Sequence, residues 1–171
     1  MRNDLKEKRN ALIKEQEEKN PDNFARKKLI FWLLAVMVVT RAIYSALNIA
    51  YCLIYELSVP AFDYFALLFI VIVALGFSYL IYSAGIKYAA YIAIAGGFLS
   101  LFNAYNDGIF FMLNTDDIFL NAVNIMFVAT ILIQIFVMSF ISFDKKCRLY
   151  LNVMAEIKKD LRLWIKDNQI K

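Results

Sequence analysis

The sequence predicts an all-α integral membrane protein, a four-transmembrane-helix bundle with N- and C-terminal cytoplasmic helices. Three observations carry that expectation. Sixty-one per cent of the 171 residues are hydrophobic, above the roughly 45–50 % of an ordinary soluble domain. These residues are gathered into long blocks separated by short polar links, with most of the charge at the two ends. The signs of that charge also differ from segment to segment in a way that fixes an orientation.

Residues 1–28, MRNDLKEKRNALIKEQEEKNPDNFARKK, are charged throughout. A cleaved signal peptide has a short basic start followed by an apolar core, so this segment reads as a retained cytoplasmic helix. Its apolar seam of Leu5, Leu12 and Ile13 is weak, and Glu15, Glu17 and Glu18 are candidates to pair with the basic C-terminal tail. The bilayer domain is expected over residues 29–143. Its spans are about 29–55, 64–82, 86–104 and 118–143, each close to or above the ~20 residues that cross a hydrocarbon core.

The segment up to Lys28 holds nine Lys and Arg against six Asp and Glu, and the tail from Asp144 holds eight against four. The link between spans two and three contributes Lys87, while the other two links carry only acids: Glu56 and Asp63 in one, Asp107, Asp116 and Asp117 in the other. Basic residues resist translocation. Both ends are therefore expected in the cytoplasm of a plasma (cytoplasmic) membrane, with the acidic links outside. Cys52 and Cys147 then fall on opposite sides of the bilayer, and no disulfide between them is expected.

Lipid gives helices no water to exclude, so spans associate through close packing and polar contacts. Gly85, Ala89, Ala93 and Gly97 repeat every four residues in span three, and Ala42, Ala46 and Ala50 do so in span one. These ridges predict packing of spans one and three on each other, with a homo-oligomer contact as the alternative.

Arg41 stands inside the apolar run VMVVTRAIYSALNIAYCLIYE, residues 36–56. Twelve residues beyond Leu29, it lies roughly 18 Å into the membrane by helical rise. A charge at that depth costs about 2.5–3.5 kcal/mol on insertion scales. Ser45 and Asn48 follow on the same face, and Gln134 and Asn124 of span four lie at comparable or shallower depth. Three fates are open to the guanidinium. It snorkels or is satisfied by Gln134 and backbone carbonyls, it pairs with an acid of another membrane subunit, or it lines a wet cavity that binds an anion or lipid headgroup.

Between Asn106-Asp107-Gly108 and Asn114-Thr115-Asp116-Asp117 stand five apolar residues, Ile109, Phe110, Phe111, Met112 and Leu113. They read as an outer-loop contact that dips into the interface or docks a partner. Thr115 or Asp116 is expected to cap span four in preference to holding a cation.

The tail over 144–171 reads as a basic amphipathic helix. Cys147, Tyr150, Met154, Ile157, Leu161 and Trp164 form its seam, with Lys158, Lys159, Arg162 and Lys166 off it. Such a helix lies on an anionic inner leaflet or enters a coiled coil with a partner. Cys147 at the boundary is a weak signal for palmitoylation.

The chain has no histidine, which removes the commonest general base and metal ligand. No glycine-rich phosphate loop or nucleophile elbow is present, so neither an enzyme nor a cofactor is expected. Topology accounts for the basic excess, so no nucleic acid is expected either. The expected partners are the lipid bilayer and either another membrane protein or a second copy of the chain. The leading expectation is an accessory subunit of a membrane complex, or a protective protein of the immunity type. The alternative is a homo-oligomeric channel or carrier for a small solute or anion, with Arg41, Ser45, Asn48, Asn124 and Gln134 lining a polar path.

Overall fold

The computed structural model describes residues 2–57, 60–109 and 116–169. Those residues form six α-helices and one 3-10 turn, with no strand among them. Helix α1 (Arg2–Lys19) is followed by a turn over Pro21–Phe24. Then come α2 (Lys27–Ile54), α3 (Ala61–Ala84), α4 (Lys87–Asn106), α5 (Ile118–Phe143) and α6 (Lys145–Gln169). Helices α2 to α5 are long and apolar enough to cross a membrane. Their outward surface carries large apolar side chains such as Phe62, Phe98 and Phe136, each more than half exposed. A helix that is apolar all round suits lipid rather than water.

Each boundary has a local cause. Pro21 cannot continue α1 and opens the turn instead. Pro60 precedes α3, and Gly85 ends it with a left-handed φ of +62°. Gly85 N–H donates to the Ile81 carbonyl and Ile86 N–H to the Leu80 carbonyl, each at 3.1 Å. This is the paired closure that lets glycine stop a helix. Helix α5 is capped by Asp117, whose carboxylate accepts from the N–H groups of Phe119 (2.8 Å) and Leu120 (3.1 Å). The cap is thus one residue later than Asp116, because only Asp117 stands at the Ncap position with α5 starting at Ile118. Thr115 and the apolar residues Phe110, Phe111, Met112 and Leu113 lie outside the described residues. Ile109, at the end of the turn after α4, is half-buried.

Helix α2 packs against α3 and α5, and α4 packs against α5; α3 and α4 share a tight turn but touch much less along their length. The four helices therefore ring in the order α3, α2, α5, α4. This corrects the expected meeting of the two small-residue ridges. Ala42 and Ala46 are exposed and Ala50 is half-buried, whereas Ala89, Ala93 and Gly97 are buried. The α4 ridge faces α5, where a Cβ on Gly97 would come within 2.6 Å of Ile135 Cγ1. Gly85 serves a different contact, since a Cβ there would collide with the Leu151 carbonyl and lie 2.6 Å from the Ala155 nitrogen of α6.

Helix α6 starts from Asp144, whose carboxylate accepts the Cys147 N–H at 2.8 Å. It folds back across the end of the bundle that carries α1 and the α3–α4 turn. Cys147, Tyr150, Leu151, Met154 and Ile157 are buried there in the chain's own core, with Leu161 packed on its edge. The Tyr150 hydroxyl donates to the Tyr82 carbonyl at 3.0 Å, and its ring meets Phe24 edge-on at 5.9 Å. Met154 and Ile157 are therefore not free to contact a membrane surface or a partner helix, whereas Leu161 is only partly covered. A seam satisfied within one chain loses less translational freedom than one satisfied by a second molecule. Lys159 and Arg162 are exposed, and Lys158 and Trp164 are partly covered.

The acids of α1 also find nearer partners than the tail. Glu15 pairs with Lys19 (2.6 Å), Glu18 with Lys14 (3.9 Å) and Glu17 with Lys27 at the start of α2 (3.1 Å). Arg9 reaches across to donate to the Ser83 carbonyl at 3.2 Å. Cys52 and Cys147 are both free thiols. Burial and the adjacent Asp144 carboxylate push the Cys147 thiol up to about 12. Acylation and oxidation need an accessible thiolate, and Cys147, fully buried, offers neither.

Candidate functional site

Arg41 lies at the middle of α2 and only 7 % of it is exposed. Its Nη2 donates to Gln134 Oε1 at 2.8 Å, and Gln134 Nε2 donates to the Ala93 carbonyl at 2.7 Å. The relay joins α2 to α5 and α5 to α4. Gln134 spends both ends of its amide, one on a charge and one on backbone. The Ala93 carbonyl is within reach because the small ridge of α4 brings that backbone close to α5. Arg41 and Gln134 were both legible as candidates in the sequence. The Ala93 carbonyl was not, because a backbone acceptor leaves no trace in residue type.

The remaining polar candidates are tied elsewhere. Ser45 donates to the Leu67 carbonyl of α3 at 2.9 Å, pinning α2 to α3. Asn48 donates to the Tyr44 hydroxyl at 3.2 Å and accepts from the Cys52 thiol at 3.7 Å, so these three form a ladder along α2. The Tyr44 ring packs on Phe127 at 5.4 Å. Asn124 is half-buried in α5, and Thr130 returns its hydroxyl to the Phe127 carbonyl of its own helix (2.8 Å). Ser45 and Asn48 therefore do not join Arg41 in lining one path.

What Arg41 and Gln134 do line is a cavity of about 410 Å³ between α2, α3, α4 and α5. Its floor includes Met37, Ala93 and Met138, all buried. Its two lips are Phe69 on α3 and Ile92 on α4, exposed at 62 % and 61 %. The cavity is thus a cleft that opens sideways where α3 and α4 splay apart. Gly96 stands on its wall, and a Cβ there would meet nothing within 4 Å. Gly97 was legible in the sequence from its four-residue repeat, whereas Gly96, the glycine beside open space, was not.

Electrostatically the cleft is one-sided: among the described residues, Arg41 is the only ionised side chain on its wall and no carboxylate lines it. Arg41 makes a single hydrogen bond, so its other donors have no protein acceptor among the described residues. A guanidinium has five N–H donors and keeps its charge. Chemically, such a place can bind an anion. Among the described residues no group of three His, Cys, Asp or Glu is placed to hold a metal ion.

No family model, curated protein or solved structure matches the chain.

Proposed function

We propose that the chain is a non-enzymatic, multi-pass protein of the cytoplasmic membrane, with both ends in the cytoplasm, that acts by association inside the bilayer. The basic excess around α1, α6 and Lys87 and the acidic links at the opposite end support this orientation. In this reading it is an accessory subunit or a protective protein. Its recognition element is Arg41, which offers a fixed positive charge to a negatively charged group supplied from outside the chain.

The observation that carries this reading is the Arg41 environment: a buried cation whose one protein partner is a neutral amide. Helix packing alone does not require that charge, and an apolar residue would insert at lower cost. A carrier with a polar path through the bundle is less well supported, because Ser45 and Asn48 are used up in holding α2 to itself and to α3.

The test is a mild-detergent pull-down of the tagged protein at native level, wild type beside Arg41→Leu and Arg41→Lys. The expected result is a specific membrane component retained by the wild type and lost from Arg41→Leu. Partial retention by Arg41→Lys points to a simple charge pair, and loss in both to a bidentate contact. Association unchanged by either substitution removes Arg41 from the function.

A further inference from the structure

We infer that the Arg41 cleft is a binding site for an anionic single-chain amphiphile, a long-chain carboxylate whose headgroup meets the guanidinium and whose tail lies between α3 and α4. The inference rests on the proposed role of Arg41 as the recognition element and names what that element takes. Three independent features select this class of ligand.

The first is charge. Arg41 has donors without a protein acceptor, and the bond to Gln134 holds the guanidinium in place with its remaining edge free. A carboxylate matches such an edge with two parallel hydrogen bonds, whereas a neutral lipid offers nothing the Gln134 amide does not already supply.

The second is shape. A cavity of about 410 Å³ falls within the roughly 300–1,000 Å³ of small-molecule sites. Apart from Arg41, Gln134 and Ser100 the walls are aliphatic, aromatic, methionine or glycine, and the Ser100 hydroxyl is bonded to the Gly96 carbonyl at 2.9 Å. An apolar tail fits that lining.

The third is access. The lips Phe69 and Ile92 face outward, so a ligand enters from the side, out of the lipid, without crossing the bundle ends. Gln134 lies nine residues before the end of α5 at Phe143, about 14 Å by helical rise, and Ala93 six residues after the start of α4 at Lys87, about 9 Å. With Arg41 at the middle of α2, the headgroup site is therefore close to the midplane of a hydrocarbon core about 30 Å thick. A slim carboxylate reaches that depth more readily than a phospholipid, whose larger headgroup is anchored at the interface.

The experiment uses the purified full chain in phosphatidylcholine nanodiscs and a dansyl-labelled undecanoate as fluorescent probe, displaced in turn by oleate, oleyl alcohol and phosphatidylglycerol. Oleate should displace the probe, and oleyl alcohol, with the same tail and no charge, should be weaker by about tenfold or more. Arg41→Leu should weaken probe binding by a similar factor. Gly96→Leu leaves Arg41 and Gln134 untouched but fills open space in the cleft, and should also weaken it. Equal displacement by oleate and oleyl alcohol overturns the proposal, as does unchanged binding in both variants. Displacement by phosphatidylglycerol but not oleate overturns the single-chain assignment. If no probe binds while Arg41→Leu still loses a membrane protein in the pull-down, the ligand assignment falls and the association reading stands. If neither is seen, both fall.

Discussion

Gly96 and Gly97 are neighbours in α4 and meet opposite surroundings. A Cβ on Gly97 would press on Ile135 at 2.6 Å, whereas one on Gly96 would meet nothing within 4 Å. One face of α4 is held hard against α5, and the other borders the cleft with Arg41 on its wall. The contrast teaches that the cleft does not come from loose packing of the bundle as a whole. It exists because α3 leans on α2 while α4 leans on α5, and the tight turn at Gly85 keeps the two joined at one end only. The packed face also positions the open one, because the Gln134 side chain that holds Arg41 is itself anchored on the α4 backbone.

The comparison is broken most completely at the hinge of the two helices. Gly85→Val places a branched side chain at φ +62° and against the α6 backbone, at a cost of about 2–5 kcal/mol from left-handed strain and overpacking together. Helix α6 should lift, and the sensitive readout is maleimide labelling of Cys147, which is fully buried in the wild type. Unchanged labelling would mean that α6 does not depend on the Gly85 contact.

Next in size is the packed face itself. Gly97→Leu should cost about 1–3 kcal/mol, read as a lower Tm in detergent, with the α4–α5 contact spread and the Ala93 carbonyl drawn away from Gln134. A stability equal to wild type would show that Ile135 yields freely and that the face is not held as tightly as its geometry implies.

A similar or slightly smaller effect is expected at the relay. Gln134→Leu removes the acceptor of a buried cation and should cost about 1–3 kcal/mol. Adding Arg41→Leu should restore most of that loss, since two apolar residues replace a charge left without its partner. Additive losses in the double-mutant cycle would uncouple the pair. On the open face, Gly96→Ala should be neutral or stabilising by up to about 1 kcal/mol, because helix propensity improves and nothing is displaced. A clear loss of stability there would contradict the open cleft.

Much of the architecture is legible in the residues themselves. Block length and composition gave the four long apolar helices, because burying backbone in an apolar medium leaves the chain no option but internal hydrogen bonding. Arg41 and Gln134 were candidates because charge and amide are rare in such blocks. The neighbour relations were less legible. The ridge of Ala42, Ala46 and Ala50 had the same period as the α4 ridge, yet most of it faces outward; small residues permit close approach without saying which helix approaches. The seam of α6 was readable as a seam, but Met154 and Ile157 turned inward onto the bundle because the chain's own end was the nearest apolar surface.

The sequence by itself therefore determined four long apolar helices, the charge asymmetry of the ends and the presence of one costly cation. These follow from local propensity and from the solvent each residue type requires. Only the tertiary structure decided which helices are neighbours, that Gln134 is held by the Ala93 carbonyl, and that α3 and α4 part to leave a cleft. Those outcomes depend on contacts between residues dozens of positions apart, among several pairings of nearly equal apolar complementarity, where one glycine more or less settles which pairing packs.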